Sequence, residues 1–235
     1  KESDLPEIMI HDFRKNGYFP EVLNNFLALQ GWSPGGDLEQ MSMAKMVELF
    51  SLDRINPSNP KFSRDKLLAF NTEYAATASP DRLLAGFRDF LAANPDSPLG
   101  RCSDAQLTRV LEMKKGFRTF QQVDEASRFL FTPVEQIEYQ PDAVDKVLKK
   151  NDGQGLKVLR DLRPQLAAVS DWTHTGIEAV VNAYVEQTKL GLGKVAQPIR
   201  VAVSGGTVSP PIFESLELLG REKTLARIDR CVAIA

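Results

Sequence analysis

Apolar side chains recur along this chain with the spacing of helices rather than of strands. Ile177, Val180, Val181 and Tyr184 repeat at i, i+3, i+4 and i+7, which gathers them on one face and predicts a helix over about residues 175–190. Leu225, Ile228 and Val232 form a second stripe near the C-terminal end. Short polar side chains that can accept from the first free amides of a helix mark the starts. These are Ser63 and Asp37 ahead of periodic runs, Ser79 followed by Pro80, and Ser103 followed by Asp104. Stops are expected at Gly31, Asn94-Pro95, Gly153 and Gly191. The one β-branched stretch, Val201 to Val208, is interrupted by Gly205-Gly206, and strand-like alternation is not sustained anywhere. The pattern predicts an all-α fold, a multi-block helical bundle. Pro-rich and polar joints divide it into residues 1–78, with a helix from Tyr18 to Gly31, a Gly-rich corner and two further helices, then 79–140, then 141–235. The last joint lies over 132–141. No fixed-period repeat or low-complexity stretch interrupts this plan.

Composition narrows the class. A chain of 235 residues with 43% hydrophobic and 26% charged content is ordinary for a soluble protein and long enough to bury a substantial core. No apolar run approaches the roughly 18 residues of a membrane span, and no charged-then-apolar signal segment opens the chain. A cytoplasmic location without membrane partners is the expectation, and a monomer is the expected state. Cys102 and Cys231 have neither Cys-x-x-Cys spacing nor clustered histidines around them, so they are read as packing thiols rather than as a zinc site or a disulfide. The net charge is −2, against a generic nucleic-acid binder, but it is uneven: −4 over residues 1–100, balanced over 101–140 and +2 over 141–235.

Two segments carry candidate chemistry. Ser209-Pro210-Pro211-Ile212 opens a helix after a Gly turn. Its prolines pre-set the backbone, and the following amides are free to face an anion or a base edge. Arg200, one loop earlier, offers a planar fork suited to a phosphate or a base. The bland alternative is a helical hairpin with a solvated arginine. Lys114, Lys115 and Arg118, with Phe117 and Phe120, bracket Gly116 in a basic, aromatic-interleaved turn. Such turns hold unstacked RNA bases by stacking and cation contacts, or else the two rings are core and the cations merely solvated. Arg14 and Lys15 are candidates for backbone phosphates. Tyr18 beside them, Trp32 and Trp172 read as packing residues. Only His11 and His174 exist, and neither has a partner suited to catalysis, so an independent metal or hydrolytic enzyme is disfavoured.

The run from Lys194 to Arg230 resembles the closing segment of bacterial glutamyl-tRNA synthetases. The elements that carry the likeness are Gly193 to Val195, Gln197 to Arg200, Gly205-Gly206, Ser209 to Ile212 and Leu218 to Glu222. His11 to Gly35 is similar to the family segment that follows its catalytic domain. Phe62 to Tyr74 looks like its Asp-Lys-Leu-x-x-x-Asn element, and Ala126 to Phe131 like its Arg-aromatic-Leu-Phe element. The family's His-Ile-Gly-His-like and Lys-Met-Ser-Lys-like motifs have no counterpart here. The resemblance therefore implies a C-terminal, tRNA-binding portion without the catalytic half.

The resemblance implies a stem-contact region over 1–78 and two helical anticodon-binding subdomains over 79–140 and 141–235. It implies that Arg200, Ser209, Pro210 and Ile212 contact the anticodon of a glutamate tRNA. Gapless alignment from Arg128 places Gly116 where some glutamate-specific members carry an arginine that reads the third anticodon base, so relaxed discrimination between glutamate and glutamine tRNAs is a second expectation. In the intact enzyme the family uses ATP and magnesium to attach glutamate; no cofactor is expected in this portion, which should be inactive alone. The competing expectation, from a different class, is a helical protein-interaction module that binds no RNA.

Overall fold

A computed structural model describes residues 8–56 and 61–234. They divide into two compact units with the boundary between Glu125 and Ala126. Among the described residues no sheet forms; one isolated antiparallel bridge joins Trp32 and Ile55. The all-α expectation is met.

The first unit contains α1 (Ile10–Lys15), α2 (Pro20–Ala28), α3 (Met43–Leu49), α4 (Arg64–Thr77), α5 (Pro80–Ala93) and α6 (Asp104–Met113). The unit boundary falls within α7 (Phe120–Ser127). Local chemistry sets the starts. Ser63, Ser79 and Ser103 each accept from the third amide of the helix that follows, at 3.2, 3.2 and 3.3 Å, and Pro80 occupies the first helical turn of α5. Asp37 caps nothing. Gly35 and Gly36 hold left-handed backbone (φ +90° and +63°) that turns the chain there, and the cap of α3 is Ser42, five residues later. The helix expected from Tyr18 to Gly31 is shorter, because Pro20 sets its first turn and it closes at Ala28.

Aromatic rings fill this unit. Phe120 is buried at centroid distances of 4.9 Å from Phe19, 5.4 Å from Phe87 and 5.3 Å from Phe117. The absence of a side chain at Gly86 lets Phe120 in, since a Cβ there would lie 2.7 Å from the ring. Arg82 forks onto Glu21 at 2.7 and 2.8 Å and lies over the Phe19 ring.

The second unit is built from single helical turns at Arg128–Phe131 and Val134–Gln136, then α8 (Pro141–Ala143) running into a π-helical stretch, Val144–Lys149. After these come α9 (Lys150–Ala167), α10 (His174–Thr188), α11 (Leu192–Ser204), α12 (Ile212–Leu219) and α13 (Arg221–Ile234). Gly153 interrupts rather than ends a helix. Asn151, Asp152 and Gly153 all take left-handed backbone, and α9 resumes directly afterwards. The Gly191 stop belongs to Lys189, in left-handed conformation at the end of α10, while Gly191 begins α11. Leu159, Leu162, Ile177, Val181, Ile199, Val203, Leu216 and Ile228 form the core.

The α13 stripe is shifted by one residue from the apolar pattern. The buried face is Thr224, Arg227, Ile228 and Cys231, while Leu225 and Val232 are only half-buried. A threonine and an arginine stand in the core because the threonine hydroxyl and the arginine's terminal nitrogens find carbonyls there. Thr224 bonds back to the Gly220 carbonyl at 2.8 Å. Arg227 donates to three carbonyls: Val203 at 2.5 Å, Phe129 at 2.7 Å and Thr132 at 2.6 Å.

Candidate nucleic-acid interface

In the second unit the site is one turn and its two flanking helices. Helix α11 ends at Gly205, which adopts φ +82°. A Cβ at Gly205 would stand 2.0 Å from the Glu138 carbonyl oxygen, so backbone passes backbone at a distance only glycine allows. The Ser204 hydroxyl donates to the Arg200 carbonyl at 2.8 Å and accepts from the Gly206 amide at 3.3 Å, closing the turn on itself. The chain then returns toward α11. Arg200 Nε donates to Ser209 Oγ at 2.9 Å, and that hydroxyl donates to the Pro210 carbonyl at 2.8 Å.

Arg200 is thus aimed by a single bond through Nε. Its two terminal nitrogens make no hydrogen bond among the described residues, and no carboxylate pairs with it. Half-burial lowers its pKa by desolvation, with no opposing anion, so the guanidinium is a cation still lacking its complement. Pro210 and Ile212 are buried, and Pro211 sits at the start of α12 without a side-chain cap. These three shape the backbone path; Thr207, Val208 and Pro211 are exposed.

In the first unit Lys114, Lys115, Gly116 and Arg118 lie on the loop between α6 and α7. Lys114 closes α6, its amide bonded to the Val110 carbonyl at 3.2 Å. Gly116 takes φ +75° on an exposed bend, and a Cβ there would meet nothing within 4 Å. Of the two alternatives for the rings of this turn, packing is the one realised: Phe117 and Phe120 are both buried and touch each other, so they anchor the loop instead of offering faces to bases. Asn71 of α4 holds the loop from below, accepting from the Phe19 amide at 2.9 Å and donating to the Arg118 carbonyl at 2.6 Å. Lys115 and the Arg118 side chain are exposed, and neither forms an ion pair among the described residues.

Other candidates are engaged elsewhere. Arg14 forks onto Asp89 at 3.0 and 2.7 Å, and Lys15 beside it is exposed. Tyr18 packs edge-on against Phe13. Trp32 is buried beside Phe50, and Trp172 donates to the Leu216 carbonyl at 2.9 Å beneath the Arg221 guanidinium. The His174 amide donates to Glu217 at 3.0 Å. Among the described residues no three His, Cys, Asp or Glu come close enough to hold a metal ion, and no helix is long and apolar enough to cross a membrane.

Sequence patterns missed the groups that hold the end of α11. The Tyr139 hydroxyl donates to the Ala202 carbonyl at 3.2 Å, the Gln140 amide to the Gly205 carbonyl at 2.9 Å, and Arg227 to Val203. The available signal for Arg227 was its spacing: it lies on the face of Thr224, Ile228 and Cys231.

This assembly of short helices, with a positioned and uncompensated arginine at a glycine turn, has the character of a helical recognition domain. Residues 82–232 match the family model described as an anticodon binding domain, and the chain belongs to that family. Relatives along the wider chain are glutamate–tRNA ligases. That of Roseiflexus castenholzii is 32% identical over 234 residues, covering 97% of this chain and 45% of the relative. Glutamate–tRNA ligase 1 of Erythrobacter litoralis is 38% identical over 216 residues, covering 91% and 42%. The crystal structure of a glutamate tRNA ligase from Elizabethkingia meningosepticum, in complex with its amino acid, superposes with a TM-score of 0.78 at 25% identity over 94% of this chain and 42% of that one. The chain spans about half the length of the relatives it matches. The resemblance to glutamyl-tRNA synthetases read from the sequence is borne out.

Proposed function

We propose that this chain binds the anticodon arm of a tRNA as the anticodon-recognising, C-terminal part of a glutamate–tRNA ligase. The observation that carries the reading is Arg200, a half-buried cation oriented by Ser209 and left, among the described residues, without an anion or acceptor on its terminal nitrogens. A base edge or phosphate would complete it with paired, charge-assisted bonds. Lys115 and Arg118 supply a second, more exposed set of charges suited to backbone phosphates. On this reading residues 1–78 serve as the stem-contact region, and 79–140 and 141–235 as the two anticodon-binding subdomains.

The intact enzyme would attach glutamate to tRNA with ATP and magnesium. Among the described residues no three His, Cys, Asp or Glu lie close enough to hold a metal ion. Gly116 presents no side chain to a third anticodon base, which supports charging of both glutamate and glutamine tRNAs; an arginine there would cost roughly 1–3 kcal/mol against the wrong base.

Binding of the full chain to anticodon stem-loops for glutamate and glutamine tRNAs, at two salt concentrations, tests the proposal. Salt-sensitive binding to both alike is the expected result. A tenfold preference for the glutamate loop would overturn relaxed discrimination and keep the rest. A second reading, protein docking, is favoured by the exposed Met43, Val47, Phe50 and Leu52 on and beside α3. Absence of RNA binding would leave it standing in place of the first.

A further inference from the structure

The C-terminal end of a helix exposes carbonyls without intrahelical partners and carries partial negative charge. At the end of α11 these groups are almost all spoken for. Val201 is bonded by the Gly205 amide at 2.9 Å, Ala202 by the Tyr139 hydroxyl at 3.2 Å, and Val203 by Arg227 at 2.5 Å. Arg227 is fully buried, and no carboxylate pairs with it among the described residues. Its other terminal nitrogen spans the Phe129 and Thr132 carbonyls at 2.7 and 2.6 Å. Burial in this way is costly for a cation, and its Nε has no partner among the described residues. An apolar residue would fill the same core position without that cost. The arginine, in contrast, ties three carbonyls from two segments to one rigid plane.

What the plane holds is the helix end that carries the recognition group. Val203 lies three residues after Arg200, and the Gly205 turn leads directly to Ser209, the residue that aims Arg200. We infer that Arg227 is a positioning residue for RNA recognition. By fixing the end of α11 it sets the Arg200–Ser209 geometry, and so the affinity for the anticodon, without touching RNA itself. The inference rests on the function proposed above, with Arg200 as the contacting group.

A double-mutant cycle tests it, using the full chain and a glutamate anticodon stem-loop as probe. Arg200→Ala and Arg227→Met are each expected to weaken binding about tenfold, since each removes or misaims the same charge-assisted contact. The double variant should bind no more weakly than Arg200→Ala alone. Combined with Lys115→Ala, on the other loop, the loss from Arg227→Met should multiply, because that contact is independent of α11. General loosening of the fold would lower affinity in every background alike, so persistence of the Arg227→Met loss in the Arg200→Ala background overturns the inference. If circular dichroism shows that Arg227→Met does not fold, Arg227→Lys carries the test. It keeps the cation at the helix end but lacks the planar fork, so it should bind more weakly than the parent and show the same dependence on Arg200. Parental affinity in Arg227→Lys overturns the inference. An Arg200→Ala chain that binds like the parent would overturn the underlying reading and this inference together, whereas additive losses would overturn the inference alone.

Discussion

Asn71 donates its side-chain amide to the Arg118 carbonyl at 2.6 Å, tying the middle of α4 to the basic loop 47 residues further along. The same side chain accepts from the Phe19 amide, and the residue is wholly buried. Replacement by leucine keeps the volume but leaves the buried Phe19 amide and the half-buried Arg118 carbonyl without their partner. At roughly 1–3 kcal/mol for each unsatisfied group, Asn71→Leu should lower stability by about 3 kcal/mol. Urea unfolding followed by circular dichroism measures it, and a loss below about 1 kcal/mol would mean that water reaches both groups.

Two glycines with similar positive φ should respond differently to alanine. Gly116→Ala meets no atom within 4 Å and bears only the left-handed backbone, so about 1–2 kcal/mol is expected. Gly205→Ala adds a collision with the Glu138 carbonyl and must displace the backbone, so its loss should exceed that of Gly116→Ala by at least about 2 kcal/mol. Thermal melts of the two variants side by side test the contrast.

Acid should weaken the first unit in a traceable way. The hydrogen bonds from Arg82 hold the Glu21 carboxyl below its ordinary range, and Arg14 does the same to Asp89. A depressed carboxylate pKa means that the unfolded chain takes up protons first. The contribution is complete above the ordinary glutamate value of about 4.3 and disappears as pH falls through the folded-state value. Both partners of the Glu21–Arg82 pair are partly solvated, so the effect at neutral pH is about 1 kcal/mol or less. Glu21→Gln should cost that much at pH 7 and progressively less as pH falls below the ordinary glutamate value, read from urea midpoints across the range.

The exposed cations should act on RNA without acting on stability. Lys115→Ala and Arg118→Ala are each expected to change unfolding free energy by less than about 0.5 kcal/mol. Each should also reduce the dependence of log K on log salt by roughly 0.7, the value for one phosphate contact on a single strand. An unchanged salt slope would remove that residue from the interface.

The helical class was legible because period and capping agree. Ser63, Ser79 and Ser103 cap the helices they precede, and the face of Ile177, Val181 and Tyr184 is the buried one. Hydrophobicity failed where polar groups enter the core. Leu225 and Val232 read as the inner face of α13, yet Thr224 and Arg227 occupy it, because carbonyls at helix ends can satisfy them and no one-dimensional pattern shows where those ends converge. Arg200 and Ser209 are candidates by residue type, and family resemblance favours them over a solvated hairpin. Their mutual bond closes only once Gly205 reverses the chain, a tertiary fact invisible in either residue. Phe117 and Phe120 looked equally suited to stacking and to packing, and the space beside Gly86 decided for packing.

Both cysteines are buried and unpaired, and burial pushes the Cys102 thiol up and the Cys231 thiol to about 11. Near neutral pH almost none of either is thiolate, so maleimides and iodoacetamides should pass over them. A single cysteine introduced at Lys115 or Thr207, both exposed, would then be the one fast-reacting position. The native chain is already suited to site-specific fluorophores, one for each unit's candidate RNA contact.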